Sequence, residues 1–205
     1  MLQSPDLAWC LVDDRLVFLD VCKDRYFCLP EERNAALISE IRAGTVPDGL
    51  WRQPENFPRP VDWTLAARTC EAIREGEFDL AETARALWAH RRIERRLATK
   101  SLSDVLTETR SALLRASMVS PYLSERGSRC VRAFEQAKLL RSAEGQCLPR
   151  SLALALCLAR CGDRPHVVLG VHLRPFKAHC WVQSGDEVLN DSAEEVLRYQ
   201  PILVI

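Results

Sequence analysis

The sequence predicts an α+β protein whose strands and helices are segregated along the chain. Short apolar segments separated by turns open the sequence, helical periodicity fills its middle, and period-two alternation returns after residue 165. Blocks of strands and blocks of helices in this order are typical of α+β folds. Four prolines within residues 45–61 predict a linker between two domains, residues 1–60 and residues 61–205, with the boundary between 45 and 80.

Three strands and one helix are predicted for the first domain. The strands are residues 8–12, 16–21 and 25–29, joined by turns that contain aspartate. Pro30 and the two glutamates after it suit the first turn of a helix, and Gly44 ends that helix. After the linker, Asp62 can cap a further helix, which we expect to run to Gly76.

Helical periodicity then predicts most of residues 79–161 as helices. The segment 79–118 has a break near residues 100–104, and an amphipathic helix follows at 128–141. Residues 85–100 hold six basic residues and one glutamate, which we interpret as a solvated helix face, with a site for an acidic peptide or a phosphate as the alternative. Residues 147–161 are apolar on nearly all sides, which predicts a helix buried in the middle of its domain.

Composition narrows the class of protein. The 205 residues include 28 basic and 28 acidic side chains, a balance that argues against a dedicated nucleic-acid binder. The N-terminus lacks the basic start and apolar core of a signal peptide, and the longest apolar run is too short to cross a membrane. We therefore expect a cytoplasmic protein with reduced cysteines and with neither nucleic acid nor membrane as a partner.

Cys147 is the strongest candidate for a reactive group. It begins the buried helix, where backbone N–H groups are unpaired and the helix dipole is positive, so the pKa of its thiol should be lowered. The same N–H groups can receive the oxyanion that forms when a carbonyl is attacked, and Gln146 could add a side-chain donor. The alternative is a core cysteine of the ordinary buried kind.

His179 can supply the base that such a cysteine needs. Beyond Gly162 we predict an antiparallel sheet with strands at 166–173, 178–183 and 187–191, and His179 lies on the second of them. The alternative is a structural histidine held in the strand by hydrogen bonds.

The third group, which orients the imidazole, depends on the register of the last hairpin. A three-residue loop at 184–186 would place Asp191 opposite His179, whereas a two-residue loop at 185–186 would put Asn190 on the histidine's face. We prefer Asp191, because a carboxylate stabilises an imidazolium better than an amide does. The alternative for Asp191 is a cap at the end of the strand.

Taken in order, these segments resemble a known family. Cys147 with the apolar helix after it, the motif Pro-Phe-x-Ala-His-x-Trp-Val at 175–182 and the pair Asn190-Asp191 are similar to the lasso-peptide biosynthesis B proteins. Those proteins belong to the transglutaminase-like cysteine-peptidase superfamily and have a papain-like core. The resemblance covers roughly residues 80–195 and implies that Cys147 is the nucleophile, His179 the base and Asp191 its orienting group.

The sequence departs from the family pattern at two positions. Cys180 follows the histidine where a small apolar residue is common, and Gln183 stands where glutamate is common. Neither departure removes a group that the proposed chemistry uses. We expect no metal site and no cofactor, since Cys147, Cys157 and Cys161 lack the paired spacing of structural zinc ligands.

The N-terminal domain resembles, in its order of elements, the winged-helix-like domains that recognise ribosomal-peptide precursors. Such domains bind the leader as an added strand on an exposed sheet edge. The third predicted strand is the edge that we propose for the leader, and it consists of Arg25, Tyr26, Phe27, Cys28 and Leu29. The alternative is that this strand only packs against the helices.

The resemblance thus implies a leader peptidase that acts on a lasso-peptide precursor beside an ATP-dependent macrolactam cyclase. For the peptidase itself no cofactor is expected, and the dependence on ATP that the resemblance implies belongs to the cyclase. Two other functions fit the same residues. One is a transglutaminase-type acyl transferase with the same three groups, and the other is a non-catalytic chaperone that presents the precursor to the cyclase.

Overall fold

A computed structural model describes residues 6–45, 54–70, 78–116, 123–140 and 145–205. Its N-terminal part is a three-stranded antiparallel sheet followed by one helix, as predicted. The strands are β1 (Leu7–Val12), β2 (Arg15–Asp20) and β3 (Arg25–Cys28), in the order β1-β2-β3, and the helix is α1 (Glu31–Arg42). Asp13 and Asp14 make the first turn with φ of 46° and 57°, values that favour a tight hairpin. The winged-helix assignment of this unit stays a prediction.

The helix expected from Asp62 is absent from its described part. Residues 68–69 instead form a short strand, β4 (Arg68–Thr69), parallel to a strand near the C-terminus. The N–H groups of Ala67 and Arg68 donate to the Asp186 carbonyl, and the Arg68 guanidinium pairs with the Asp186 carboxylate at 2.8 Å. A sheet edge distant in sequence therefore overrides the local helical pattern. Residues 71–77 of the expected helix lie outside the described residues.

Four helices build the centre of the molecule: α2 (Leu80–Thr99), α3 (Leu102–Arg115), α4 (Glu125–Lys138) and α5 (Cys147–Cys161). The predicted break is confirmed, since Lys100 ends α2 and the Ser101 side chain caps α3. α5 contacts α2, α3, α4 and the neighbouring sheet, and of its 15 residues seven are buried, seven are partly buried and only Arg160 is exposed. The prediction of a central buried helix is confirmed. Within the described ranges, no helix has the length and apolarity needed to cross a membrane.

A five-stranded sheet covers one side of α5, in the order β4-β7-β6-β5-β8. Its other members are β5 (His166–Leu173), β6 (Phe176–Ser184), β7 (Glu187–Val188) and β8 (Gln200–Val204), with the short helix α6 (Ala193–Val196) before β8. The predicted strand 187–191 is too long, because it leaves the ladder after Val188. Residues 200–204, for which no element was predicted, form β8 and pair with β5.

The small sheet lies against the large one. β1 packs beside β8, and the Tyr26 ring of β3 lies 5.6 Å from the Phe176 ring of β6. Alternation along β3 turns Tyr26 toward the main core and Phe27 toward α1, where Phe27 stacks on Phe18 at 5.2 Å. β3 therefore contacts the same strand that carries His179.

Candidate active site

The thiol of Cys147 is placed by the first turn of α5. Gln146 is the residue before the helix and makes no side-chain cap, and the first intrahelical bond runs from the Arg150 N–H to the Gln146 carbonyl at 3.1 Å. Cys147 is the first residue of the helix and is half-buried, as is Leu148, while Pro149 and residues 151–155 are buried. This is the position that the sequence predicts for an activated cysteine.

His179 reaches the thiol from β6. The structure brings the two side chains into hydrogen-bonding contact, and Nε2 of His179 lies 2.9 Å from Oδ2 of Asp191. Because Asp191 occupies Nε2, the other ring nitrogen, Nδ1, is left for the sulfur. The second oxygen of Asp191 accepts the Ser192 N–H at 2.8 Å, which fixes the carboxylate. Cys147, His179 and Asp191 therefore form one continuous chain of contacts.

Asp191 reaches the histidine by a route that the sequence analysis did not foresee. The hairpin has the two-residue loop, since Gln183 pairs with Val188 and Ser184 with Glu187. The preferred three-residue register was therefore wrong, and a continued ladder would have carried Asp191 to the opposite face. The strand instead ends at Val188 and the chain bends, so that Asp191 meets His179 from outside the ladder.

Asn190, the alternative candidate for orienting the imidazole, does not contact His179 and makes other hydrogen bonds. Its Oδ1 accepts the Val182 N–H at 2.8 Å, and its Nδ2 donates to the Ser151 Oγ at 2.8 Å. The Ser151 hydroxyl in turn donates to the Cys180 carbonyl at 2.8 Å. Asn190 therefore contacts the backbone of the strand and not the imidazole.

This Asn190–Ser151 pair was missed from the sequence. Both side chains are buried, and together they fasten α5 to β6 on either side of Trp181. Ser151 lies one turn after Cys147 on the same helix face, so it fixes the distance between the helix that holds the thiol and the strand that holds His179. The single serine in a mainly apolar helix was the available signal, because a buried hydroxyl needs hydrogen-bond partners.

The charges of the three groups reinforce one another. Burial alone would lower the pKa of His179, but the hydrogen bonds and charges of Asp191 and Cys147 outweigh it and raise the pKa to about 9. Burial likewise opposes ionisation of Cys147, yet His179 and the N–H groups of Cys180 and Leu148 hold the pKa of this thiol below its ordinary value. Both pKa shifts favour the thiolate–imidazolium pair over the neutral thiol and neutral imidazole.

Asp191 stays ionised beside this pair. Burial would raise the pKa of its carboxyl group, but the His179 ring, the Ser192 N–H and the charge of Lys138 lower it. The imidazolium therefore faces a carboxylate on one side and a thiolate on the other.

Two aromatic rings enclose the imidazole. Trp181 stacks at 6.1 Å between centroids and Tyr199 lies at 5.0 Å, so the ring is shielded from bulk water. Trp181 rests on Gly170, where even a Cβ would come within 2.8 Å of the indole. Sequence reasoning found Trp181 but missed Tyr199, which follows α6 and belongs to no motif.

Gln183 explains one departure from the family pattern. Its Oε1 accepts the Trp181 indole N–H at 3.1 Å, while its Nε2 donates to the carbonyls of Thr64 and Gly185. A carboxylate could not make those two donations. Glutamine thus holds the indole and the segment before β4 together.

Two further features border the thiol and the carboxylate. The Oε1 atom of Gln146 is buried and has no hydrogen-bond partner within the described chain, so this amide is not used as a helix cap. A cavity of about 540 Å³ lies beside Asp191, and its lining includes Thr69, Gln136 and Lys138. Lys138 donates to the Asn190 carbonyl at 2.6 Å and so forms part of the wall.

The proposed leader edge is on the three-stranded sheet, whereas His179 is on the five-stranded sheet. Arg25 and Cys28 are exposed, whereas the side chains of Tyr26 and Phe27 pack inward. Among the described residues, only β2 pairs with β3, so the outer backbone edge of β3 is open. What this edge presents is main chain and not the two aromatic side chains.

The other histidines that could bind a metal ion do not lie in a metal-binding cluster within the described residues. His166 is buried 3.3 Å from Asp62, and the Nδ1 of His172 lies 3.1 Å from the Pro175 carbonyl. In the portions of the chain that the structure describes, no group of three or more histidine, cysteine or acidic side chains is arranged to hold a metal ion.

Similarity to a known protein family is found in the C-terminal part of the chain. Residues 80–204 match the model of the transglutaminase-like superfamily, a stretch that begins with the first residue of α2 and ends with the last residue of β8. No curated protein matches the chain significantly, and neither does any solved structure. The matched stretch contains Cys147, His179 and Asp191.

Proposed function

Since the chain belongs to the transglutaminase-like superfamily, we propose that it is a cysteine peptidase that removes the leader from a ribosomally synthesised lasso-peptide precursor. The fold is compatible with a cysteine-dependent peptidase or acyl transferase. The observation that carries the proposal is the contact chain from Cys147 through His179 to Asp191, with the thiol at the start of a buried helix.

In the first half of the proposed reaction, the Cys147 thiolate attacks the scissile carbonyl carbon. The carbonyl oxygen becomes an oxyanion, which the N–H groups at the start of α5 and the Gln146 amide can receive. When the tetrahedral adduct collapses, the His179 imidazolium gives its proton to the departing amine. The leader carboxyl is then held as a thioester on Cys147, and the core peptide leaves with a free N-terminus.

Water completes the cycle. Neutral His179 takes a proton from water as the hydroxide attacks the thioester, and the released Cys147 sulfur leaves as the thiolate. Asp191 keeps the imidazole oriented and stabilises its charged form throughout. One water is consumed, one peptide bond is cleaved, and the thiolate–imidazolium pair is restored.

The N-terminal sheet supports recognition of a peptide by strand addition. The outer edge of β3 can pair with an extended leader, because main-chain donors and acceptors of an edge strand are unsatisfied by the sheet itself. The Tyr26–Phe176 contact connects β3 to the strand of His179, so a leader docked on β3 would run close to the nucleophile. The cavity beside Asp191 offers room for side chains near the scissile bond.

The proposal is tested by incubating the full chain with a candidate precursor and measuring free leader by mass spectrometry. Cys147→Ala should abolish the product, whereas Cys22→Ala, a change at an exposed cysteine outside the Cys147–His179–Asp191 contact chain, should not. Full cleavage by Cys147→Ala would overturn the assignment, and unchanged delivery of precursor to a cyclase would then favour the chaperone function.

The acyl-transferase function is distinguished by its product. The same thioester could be attacked by an amine, so the reaction should also be run with a primary amine in excess. A leader that ends in a carboxylate supports the peptidase, while a leader that ends in an amide at the scissile residue supports acyl transfer.

Leader docking has its own test. Excess free leader should slow cleavage of the full precursor at low concentration, because it competes for the edge of β3. It should leave unchanged the cleavage of a short peptide that spans only the scissile bond. Equal inhibition of both substrates would contradict a separate docking surface.

A further inference from the structure

Three thiols meet outside the candidate active site. Cys130 of α4 hydrogen-bonds with both Cys157 and Cys161 of α5, and all three are recorded as free thiols. Cys157 and Cys161 lie four residues apart and therefore share one face of α5. Cys147 is ten residues before Cys157, about 15 Å away along the helix, so this cluster is separate from the nucleophile.

The cluster opens into a cavity of about 420 Å³ with a basic lining. Four arginines surround it, Arg85, Arg126, Arg129 and Arg160, against one acid, Glu82. Arg85 pairs with Glu82 and Arg129 with Glu125. Within the described residues, Arg126 and Arg160 have no carboxylate within 4.0 Å, and Arg160 is a hydrogen-bond donor to the Cys157 sulfur.

The thiols of the cluster differ in their pKa. Hydrogen bonds to Cys157 and Cys161 raise the pKa of Cys130, so that Cys130 keeps its proton. The bond from Cys130, with support from Arg126, outweighs the effects of burial and of Asp163 and lowers the pKa of Cys161 to about 7. A partly ionised thiol therefore lies next to a protonated thiol on another helix.

We propose that the cavity between α4 and α5 is a redox modification site, at which a small disulfide bearing carboxylates oxidises Cys130 and Cys161 to a reversible interhelical disulfide. Arg126 and Arg160, which have no carboxylate partner among the described residues, match the carboxylates of such an oxidant. A bond between the helices is favoured over one within α5, because the Cβ atoms of residues four apart on a helix point in parallel.

The chemistry balances in two exchange steps. The Cys161 thiolate attacks one sulfur of the oxidant, forms a mixed disulfide and releases the other half as a thiolate. Cys130 gives its proton to the released thiolate or to another base. The Cys130 sulfur then attacks the Cys161 sulfur, and the second half of the oxidant leaves as a thiolate. Two protein thiols are oxidised by two electrons, and one disulfide oxidant is reduced to two thiols.

Glutathione disulfide is the probe, and cystamine, a disulfide with amino groups in place of carboxylates, is its matched control. The experiment uses the full chain carrying Cys147→Ala, so that the nucleophile does not react. Peptide mapping by mass spectrometry should find Cys130 linked to Cys161, formed about tenfold faster with glutathione disulfide than with cystamine. The melting temperature should rise on oxidation and return after dithiothreitol.

Two sets of variants sharpen the result. Cys130→Ser should stop the reaction at a glutathionyl adduct on Cys161, because the resolving thiol is gone. Arg126→Gln with Arg160→Gln should slow the reaction with glutathione disulfide more than the reaction with cystamine, so that the preference for glutathione disulfide is lost. Equal rates with both oxidants in the parent protein, a bond from Cys130 to Cys157, or modification confined to the exposed Cys22 and Cys28 would each overturn the proposal.

Discussion

Ser151→Ala tests how the thiol and the imidazole are held together. The change removes one buried hydroxyl and leaves two buried groups without that partner, the Asn190 amide and the Cys180 carbonyl. An unsatisfied buried polar group costs about 1–3 kcal/mol, so we expect the free energy of unfolding to fall by about 2–4 kcal/mol. The helix propensity gained from alanine is only a few tenths of a kcal/mol and does not offset this.

The assay is urea unfolding followed by circular dichroism, with Ser192→Ala as the matched control. Ser192 also accepts a backbone N–H through its hydroxyl, but at the start of α6 near the surface, so its loss should cost about 1 kcal/mol. Alkylation of Cys147 by iodoacetamide near pH 7 should slow in Ser151→Ala, because α5 and β6 are no longer fastened. It should not slow in Ser192→Ala.

A double-mutant cycle with Asn190→Ala isolates the pair. The two side chains share one network, so the second substitution should cost less once the first has been made. If Ser151→Ala costs no more than Ser192→Ala and Cys147 reacts as fast as before, the network does not position the site, and the reasoning is refuted.

Two other substitutions probe the imidazole. Asp191→Asn should lower the pKa of His179 from about 9, as measured by NMR titration; an unchanged pKa would contradict the ion pair. The free energy of unfolding should be higher for the parent than for this variant. The difference should be full between pH 3.8 and 6.5 and should decline as pH rises from 6.5 through about 9, because His179 then loses its proton. A difference that does not change with pH would contradict the ion pair. Gly170→Ala should push the Trp181 ring away from His179 and reduce kcat more than it changes KM, and wild-type kinetics would show that the ring does not need this close approach.

The parts of the fold that depend on local patterns were predictable. The apolar run after Cys147 gave the buried helix, and the alternation around His179 gave the strand, because both signals lie within a single element. These two elements are also the ones that carry the proposed nucleophile and base.

The parts that depend on distant partners were not. β4 forms where the N–H groups of residues 67, 68 and 70 donate to the carbonyls of Asp186 and Val188 at the edge of the sheet. No local pattern encodes such a distant partner. Asp191 was chosen on the chemistry of carboxylates, but through a hairpin register that the molecule does not adopt. The position of a side chain after a strand ends depends on a bend that alternation does not describe.

The pH dependence of alkylation at Cys147 tests the central claim most directly. Iodoacetamide labelling of this one peptide, followed by mass spectrometry in the parent and in His179→Ala, reports the fraction of thiolate at each pH. The structure predicts that the parent reacts with an apparent pKa below the ordinary thiol value of 9.0 and that the variant moves toward it. Identical profiles in the two proteins would contradict a thiolate kept ionised by the imidazole of the neighbouring strand.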